Sequence, residues 1–341
     1  MKIKQEKRIA VTLIVIIIAV SLILGLFVYL NSAKPYDGPM ESITVGYSPF
    51  ESVTLFWVAE NQHFFSQNGL NVTSHTYATG AGALNGVLNG EADIAVGTNE
   101  FPLTTRALNN ERVRTIGSIS KSEFIYLVGR EDHGIKNISD LNGKTIGTTF
   151  GTIAHFYLSR FLSLNDINTQ NVTLVDLKTP TEWVAAVVNG SIDAVATAQP
   201  YANSAKEGLG DNAVVWSIQS AQPLYTQAIS TDEWITGHPE LCSRFLKSLY
   251  EAEAFVINHP AEAKTIVKSQ MNFSDTYLEA VWHQNQFSLS LDQSLILAME
   301  GEARWLMSNN LTNATTIPNF LDYIYLDGLE TVKPESVNII H

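Results

Sequence analysis

The chain has 341 residues, 45% hydrophobic and 16% charged, which is enough for two globular domains with sizeable cores. Its 34 acidic residues outnumber 21 basic ones, and a formal net charge of −13 argues against nucleic acid as a partner. The single cysteine, Cys242, excludes an intrachain disulfide.

In chain order, Lys2, Lys4, Lys7 and Arg8 come first, followed by an uncharged run from Ile9 to Leu30, "IAVTLIVIIIAVSLILGLFVYL". At ~1.5 Å per residue this run spans roughly 33 Å as a helix, enough to cross a bilayer. It exceeds the apolar core of about 7–15 residues found in a cleaved signal peptide. The basic flank predicts a cytoplasmic N-terminus, with the rest of the chain extracytoplasmic at the cell membrane. Residues 1–40 are therefore expected to be a membrane anchor or signal, plus a linker. The small residues of "LNSA" leave cleavage after Ala33 as the alternative. No cysteine follows the run, so a thioether lipid anchor is excluded there. Sequons at Asn71, Asn137, Asn171, Asn189, Asn272, Asn310 and Asn313 suit a glycosylated surface protein. Without the leader, 17 basic residues remain against 33 acidic, a net charge of −16.

After Pro39 the pattern alternates. "ITVGY" (43–47) predicts a strand and Val53–Gly69 a helix closed by Asn68-Gly69. "LNVTSHTYA" predicts a strand, "GALNGVLNG" a helix ending at Gly90, and "ADIAVGT" another strand. This order implies a parallel sheet with helices on both faces. The order recurs as "GKTIGTT", "GTIAHFYLSRFLSLN", "VTLVDL", "PTEWVAAVVNG" and "SIDAVATA", with Pro180 opening the last helix. "SEFIYLVGRED" reads as a strand leaving the first half and "PLYTQAIST" as the strand returning to it. From Asp232 onward the sequence is nearly all helical.

One phrase is written twice: "VLNGEADIAVGT" (87–98) and "VVNGSIDAVATA" (187–198). Gly90 and Gly190 would end equivalent helices, and Asp93 and Asp193 would start equivalent strands. Thr98 and Asn99 follow the first strand, and Gln199 and Pro200 follow the second. In open α/β sheets, ligands bind beyond the carboxyl ends of such strands, so two facing lobes would share one cleft.

Four stretches together, "ITVGYSPFESVTLFWVAENQHFFSQNGLNV", "GALNGVLNGEADIAVG", "DLNGKTIGTTFGTIAHFYLSRFL" and "VVNGSIDAVATAQPY", resemble the substrate-binding proteins of ABC importers. The branch is the nitrate/sulfonate/taurine type, with the type II periplasmic-binding-protein fold, and the resemblance covers about Ile43 to Ser269. It implies two doubly wound α/β lobes joined by two crossing strands, followed by a helical tail. The lobes would be residues 41–129 with 228–341, and residues 130–227. It also implies a small-molecule ligand, an ABC permease as partner, a monomer, no cofactor and no metal. Matching residue by residue places the ligand site at Tyr47, Ser48 and Pro49, at Gly80, Ala81 and Gly82, and at Thr98 and Asn99. On the second lobe it falls at Thr149, Gly151 and Thr152, and near Gln199. Many relatives carry Trp and an acid before Pro-Tyr, where this chain has "TAQPY", so an amine-bearing ligand is disfavoured.

The chemistry of these residues suits an anionic or polar ligand. Glycines let the backbone approach it, and helix N-termini favour negative charge. Ser48, Thr149 and Thr152 add hydroxyl donors, and His155 lies one turn after Gly151. Tyr47, Phe50, Trp183 and Tyr201 are candidate apolar walls. Enzyme motifs fit less well. "GAGALNG" is one residue too long for the dinucleotide fingerprint, the histidines lack metal-site spacing, and there is no G-x-S-x-G elbow. The enzyme alternative is a same-fold relative of the pyrimidine-precursor synthase or chorismate dehydratase type. The cysteine-rich motif of the former is missing here.

Overall fold

Strand β1 (Glu41–Tyr47) opens the computed structural model, which describes residues 36–271 and 273–340. Ile43 and Val45 point inward from it, as strand alternation requires. The helix expected over 53–69 is broken in two. Helix α1 (Thr54–Asn61) and the short α2 (Phe64–Gln67) are separated by His63, whose φ of 60° is left-handed. Strand β2 (Leu70–Thr76), helix α3 (Gly80–Leu88) and strand β3 (Ile94–Asn99) follow, and β1 pairs in parallel with both β2 and β3.

Helix α4 (Glu100–Leu108) and strand β4 (Val113–Ser122) come next, in a stretch for which the sequence suggested no element. Two residues later the chain enters a second sheet with β5 (Ile125–Arg130). That sheet continues through β6 (Thr145–Thr148), α5 (Ile153–Leu164), β7 (Thr173–Asp176), α6 (Pro180–Val188) and β8 (Ala194–Ala198). Thr179 and Glu182 form a capping box around Pro180 at the start of α6. Helix α7 (Tyr201–Leu209) and strand β9 (Ala213–Ser217) complete it. The strand order is β7-β6-β8-β5-β9.

Strand β10 (Leu224–Thr231) then returns to the first sheet and lies antiparallel between β3 and β4. The tail is helical: α8 (Asp232–Gly237), α9 (Pro239–Asn258), α10 (Pro260–Met271) and α11 (Asp275–Trp282). The chain breaks between α8 and α9 at His238, because Pro239 occupies the first turn of a new helix. The two-residue strand β11 (Asn285–Gln286), helix α12 (Gln293–Ser308) and α13 (Asp327–Val332) end the order, and the first sheet reads β11-β4-β10-β3-β1-β2.

The doubled phrase is a helix-to-strand turn that stitches parallel strands. Gly90 and Gly190 adopt φ of 74° and 82°, where a side chain would be strained. Asp93 Oδ2 accepts the Thr44 N–H at 2.7 Å, and Asp193 Oδ2 accepts the Thr145 N–H at 2.8 Å. Each Asp also donates its own N–H to the carbonyl of that same residue, at 2.8 Å and 2.9 Å.

The apolar segment Ile9–Leu30, predicted to cross the membrane, and the sequon Asn272 lie outside the described residues. Among the described residues no helix is long and apolar enough to cross a membrane.

Candidate functional site

A cavity of about 430 Å³ is lined by residues from both sheets. From the first sheet come Phe50 and Ser52 after β1, Thr79 to Ala81 at the start of α3, and Gly97 and Asn99 at the end of β3. Phe101, Pro102, Thr105 and Arg106 contribute from α4, and Leu224 and Thr226 from β10. From the second sheet come Ile125 and Ala198, with Gly151 to Ile153 at the start of α5; Phe124 stands just before β5. The lining therefore lies at carboxyl ends of β1, β3 and β8, where helices begin.

Two helix N-termini meet this space. At α3, Thr79 Oγ1 accepts the Gly82 N–H at 3.0 Å, while Gly80 and Ala81 line the cavity. At α5, Thr152 occupies the cap position without a side-chain cap bond. First-turn N–H groups at such ends need partners from outside the helix and favour anions. Asn99 caps α4 by accepting the Phe101 N–H at 3.0 Å with Oδ1. Among the described residues, Arg106 is the charged side chain in the lining. It donates to Glu111 at 2.8 Å and to Asn85 at 2.5 Å.

The residues singled out from sequence divide into two groups. Gly80, Ala81, Asn99, Gly151 and Thr152 line the cavity, as does the candidate wall residue Phe50. The others stand behind or beside it. Tyr47 packs its ring on Phe56 and Trp57, at centroid distances of 5.2 Å and 6.4 Å. Ser48 is fully buried and Pro49 half-buried. Gly82 donates to Thr79, and Thr98, also buried, donates its hydroxyl to the Gly80 carbonyl at 2.6 Å. Thr149 donates to the Leu177 carbonyl at 2.6 Å and accepts the Trp183 indole N–H at 3.1 Å. Trp183 packs edge-on against Tyr201, away from the cavity. Gln199 accepts the Asn203 N–H at 3.1 Å and so faces α7.

His155 stacks on Phe150 and meets Trp305 of α12 edge-on, each at 4.9 Å. Its Nδ1 accepts the Gly151 N–H at 3.3 Å. Burial holds its pKa below the usual imidazole value, against the opposing pull of Asp176. A neutral ring with the proton on Nε2 satisfies both observations.

Sequence reasoning missed the contribution of α4, and read β10 as a returning strand without placing Leu224 and Thr226 in the cavity. The signal was present in "NEFPLTTRALNN", where Asn99 is a good N-cap and Arg106 sits in the last turn.

Two facing α/β sheets with a cavity at their strand ends define the type II solute-binding class of fold. The chain belongs to the NMT1/THI5-like family, whose model matches residues 51–263. It is 23% identical over 288 residues to YtlA of Bacillus subtilis (strain 168), whose name records binding but no ligand; the match covers 81% of this chain and 84% of that one. The fold is similar to that of the periplasmic aliphatic sulphonate binding protein SsuA from Escherichia coli. The TM-score is 0.72 at 16% identity, over 84% of this chain and 98% of SsuA. The desulfurization enzyme DSZB shares it too, with a TM-score of 0.64 at 14% identity over 86% and 99% of the two chains. At such identities the likeness is one of fold.

Proposed function

We propose that this protein is the extracytoplasmic solute-binding component of an ABC importer. It captures a small anionic or polar solute between two closing lobes, one on each sheet, with β5 (Ile125–Arg130) in the second and β10 (Leu224–Thr231) in the first, where the sequence had put the lobe boundaries at 129/130 and 227/228, and delivers it to a permease without chemical change. The observation that carries this reading is the cavity itself. It is built from both sheets, walled by Phe50, Phe101 and Phe124, and fitted with two helix N-termini and the Arg106 guanidinium. That combination suits an apolar body with an anionic head, the division of labour common in small-molecule sites. A binding role is further supported by the position of Cys242, the one cysteine of the chain, buried in α9 and absent from the lining.

The leader would tether the domain outside the cytoplasmic membrane, which protease digestion of intact spheroplasts tests. The ligand class is tested by thermal unfolding of residues 36–341 against methanesulfonate, taurine, nitrate, bicarbonate and a heteroaromatic. A bound ligand at about 100 times its Kd adds about 2.7 kcal/mol of stability and raises the Tm. No shift with any of them rejects the solute classes named here.

A further inference from the structure

Beneath the cavity, two carboxyl groups face one another in the dry interior. Glu100, at the start of α4, and Glu302, on α12, are both fully buried and bridged by Thr104, whose hydroxyl lies 3.1 Å from the Glu100 carbonyl and 2.7 Å from Glu302 Oε2. Glu100 Oε2 accepts the Tyr225 N–H of β10 at 2.9 Å, and Glu302 Oε2 accepts the Thr104 hydroxyl at 2.7 Å. The remaining oxygen of each, Oε1, receives no N–H or O–H from any described residue. Two ionised carboxylates cannot occupy such a place, whereas one proton between them satisfies both free oxygens.

The pair ties together the pieces that form the cavity floor. Asn99 and Phe101, on either side of Glu100, line the cavity, as do Leu224 and Thr226 on either side of Tyr225. One turn beyond Glu302, Trp305 meets Phe101 at 6.1 Å and the second-sheet residues His155 at 4.9 Å and Phe156 at 5.7 Å. The titratable groups facing the pair are Tyr157 from α5, with Arg160 beside it, and Tyr225 from β10. The Tyr157 hydroxyl bonds to the carbonyls of Gln222 and Pro223 at 3.4 Å and 3.3 Å. Arg160 donates to Gln219 and Gln222 at 3.1 Å and 2.9 Å.

We propose that Glu100 and Glu302 form a proton-sharing clasp that holds α4, β10 and α12 together as the floor of the ligand cavity. The clasp rests on the reading above only for what that floor serves. Burial raises both acids, Glu100 to about 8 and Glu302 well above its ordinary value. A carboxyl whose folded pKa exceeds its unfolded value of ~4.3 loses stabilising power as pH climbs between the two.

The test uses unliganded protein. Glu302→Gln keeps an acceptor for Thr104 and places an N–H₂ donor against Glu100, mimicking the protonated acid permanently. The decline of Tm from weakly acidic pH to about pH 8 should become at least twofold shallower in this variant, and a protonated-carboxyl infrared band present in the wild type at neutral pH should be lost. An unchanged slope with an unchanged band overturns the clasp. Glu100→Gln is the second arm, with the same expectation. Should neither variant fold, the wild-type infrared titration decides. Carboxyl absorption that disappears only at or above about pH 8 supports the clasp, and absorption already gone at neutral pH overturns it. None of these measurements contains ligand. Their failure leaves the binding-protein reading standing, and failure of solutes to bind leaves the clasp standing.

Discussion

The hydroxyl of Thr98 donates to the carbonyl of Gly80 at 2.6 Å, which holds the first turn of α3 against the end of β3. No room is left there for a side chain. A Cβ on Gly80 would lie 2.7 Å from Thr98 Cα and against the Gly97 carbonyl. Gly80→Ala should therefore cost about 1–3 kcal/mol, the usual penalty of overpacking, and push α3 outward. In Gly82→Ala the nearest neighbour is a side-chain oxygen, Thr79 Oγ1 at 3.3 Å, which has more freedom to yield. Urea unfolding of the two variants checks this; equal stability would reject the close approach as the reason.

The second lobe carries a matching test at the opposite wall. Gly151 has φ of 69° with open space around it, so Gly151→Ala should cost only about 1 kcal/mol, from left-handed strain. Thr152→Phe gives up the Thr152 hydroxyl bond to the Thr149 carbonyl at 2.7 Å, a loss of about 1 kcal/mol, and fills the cavity, weakening any ligand found in the thermal screen at least tenfold. Titration calorimetry with that ligand measures it, and small-angle scattering shows whether compaction is lost as well. Full affinity in Thr152→Phe would move the site elsewhere.

The strand stitches predict an acid limb. Burial alone would raise the Asp193 carboxyl, but the Thr145 N–H and His133 hold it below the usual aspartate value. An acid depressed in the folded state stabilises fully above its unfolded pKa of ~3.9, and that stability is lost as pH falls through the lower folded value. Asp193→Asn should therefore lower stability at neutral pH and flatten the decline below about pH 4. Removing the acceptor entirely, in Asp93→Ala or Asp193→Ala, should cost about 1–3 kcal/mol by stranding the Thr44 or Thr145 N–H. Acid titration monitored by circular dichroism gives both results; no effect in either alanine variant would reduce the doubled phrase to a turn.

Lys333 and Glu253 form a largely buried ion pair at 2.7 Å that fastens the end of the chain to α9. Glu253 also accepts the Leu289 N–H at 3.0 Å. Lys333→Met leaves that carboxylate buried without its cation and should cost about 3–5 kcal/mol, whereas replacing both partners with apolar residues should cost far less. A double-mutant cycle by chemical denaturation separates the two cases.

Cys242 is fully buried, and desolvation pushes its thiol up to about 12, against a smaller opposing effect of Arg114. Because the thiolate is the reactive form, a neutral thiol reagent should modify Cys242 only through global unfolding. The labelling rate should then fall in proportion to any stabilisation by ligand. Rapid labelling of folded protein would show that α9 opens locally.

These expectations rest on parts of the molecule that differed in how plainly the sequence declared them. The β-α-β alternation of the first half was legible because short apolar strands such as "ITVGY" and "ADIAVGT" alternate with helical stretches that close at the Asn-Gly pairs 68–69 and 89–90. Gly80, Ala81, Asn99, Gly151 and Thr152 were legible as cavity residues because they follow directly from strand-to-helix junctions. The floor was not. Strand β4 contains "GSISKS", whose small polar side chains are buried against β10 and the tail instead of forming an apolar run. Its partners lie more than a hundred residues away, as in the pairing of Gly117 with Ala228, and no local pattern encodes them. Tyr47, Thr98 and Thr149 sit next to the strand ends, yet their side chains bond or pack backward. Orientation of that kind depends on φ, ψ and rotamer more than on residue type.

Placing β10 between β3 and β4 also sets an order of assembly. The second sheet is complete once residue 217 has been made, and every strand in it lies within one continuous stretch. The first sheet cannot close until Thr231 has been synthesised, because Thr226 must reach Asn99 and Ser120 together. During synthesis at about 5–20 residues per second, β1, β2 and β3 therefore wait several seconds with one edge open. That edge is a template for mispairing, and such long-range closure is intrinsically slow. The nascent chain is then most exposed to aggregation through its earliest strands, and a chaperone that shields residues 41–99 would act at the step where this topology is weakest.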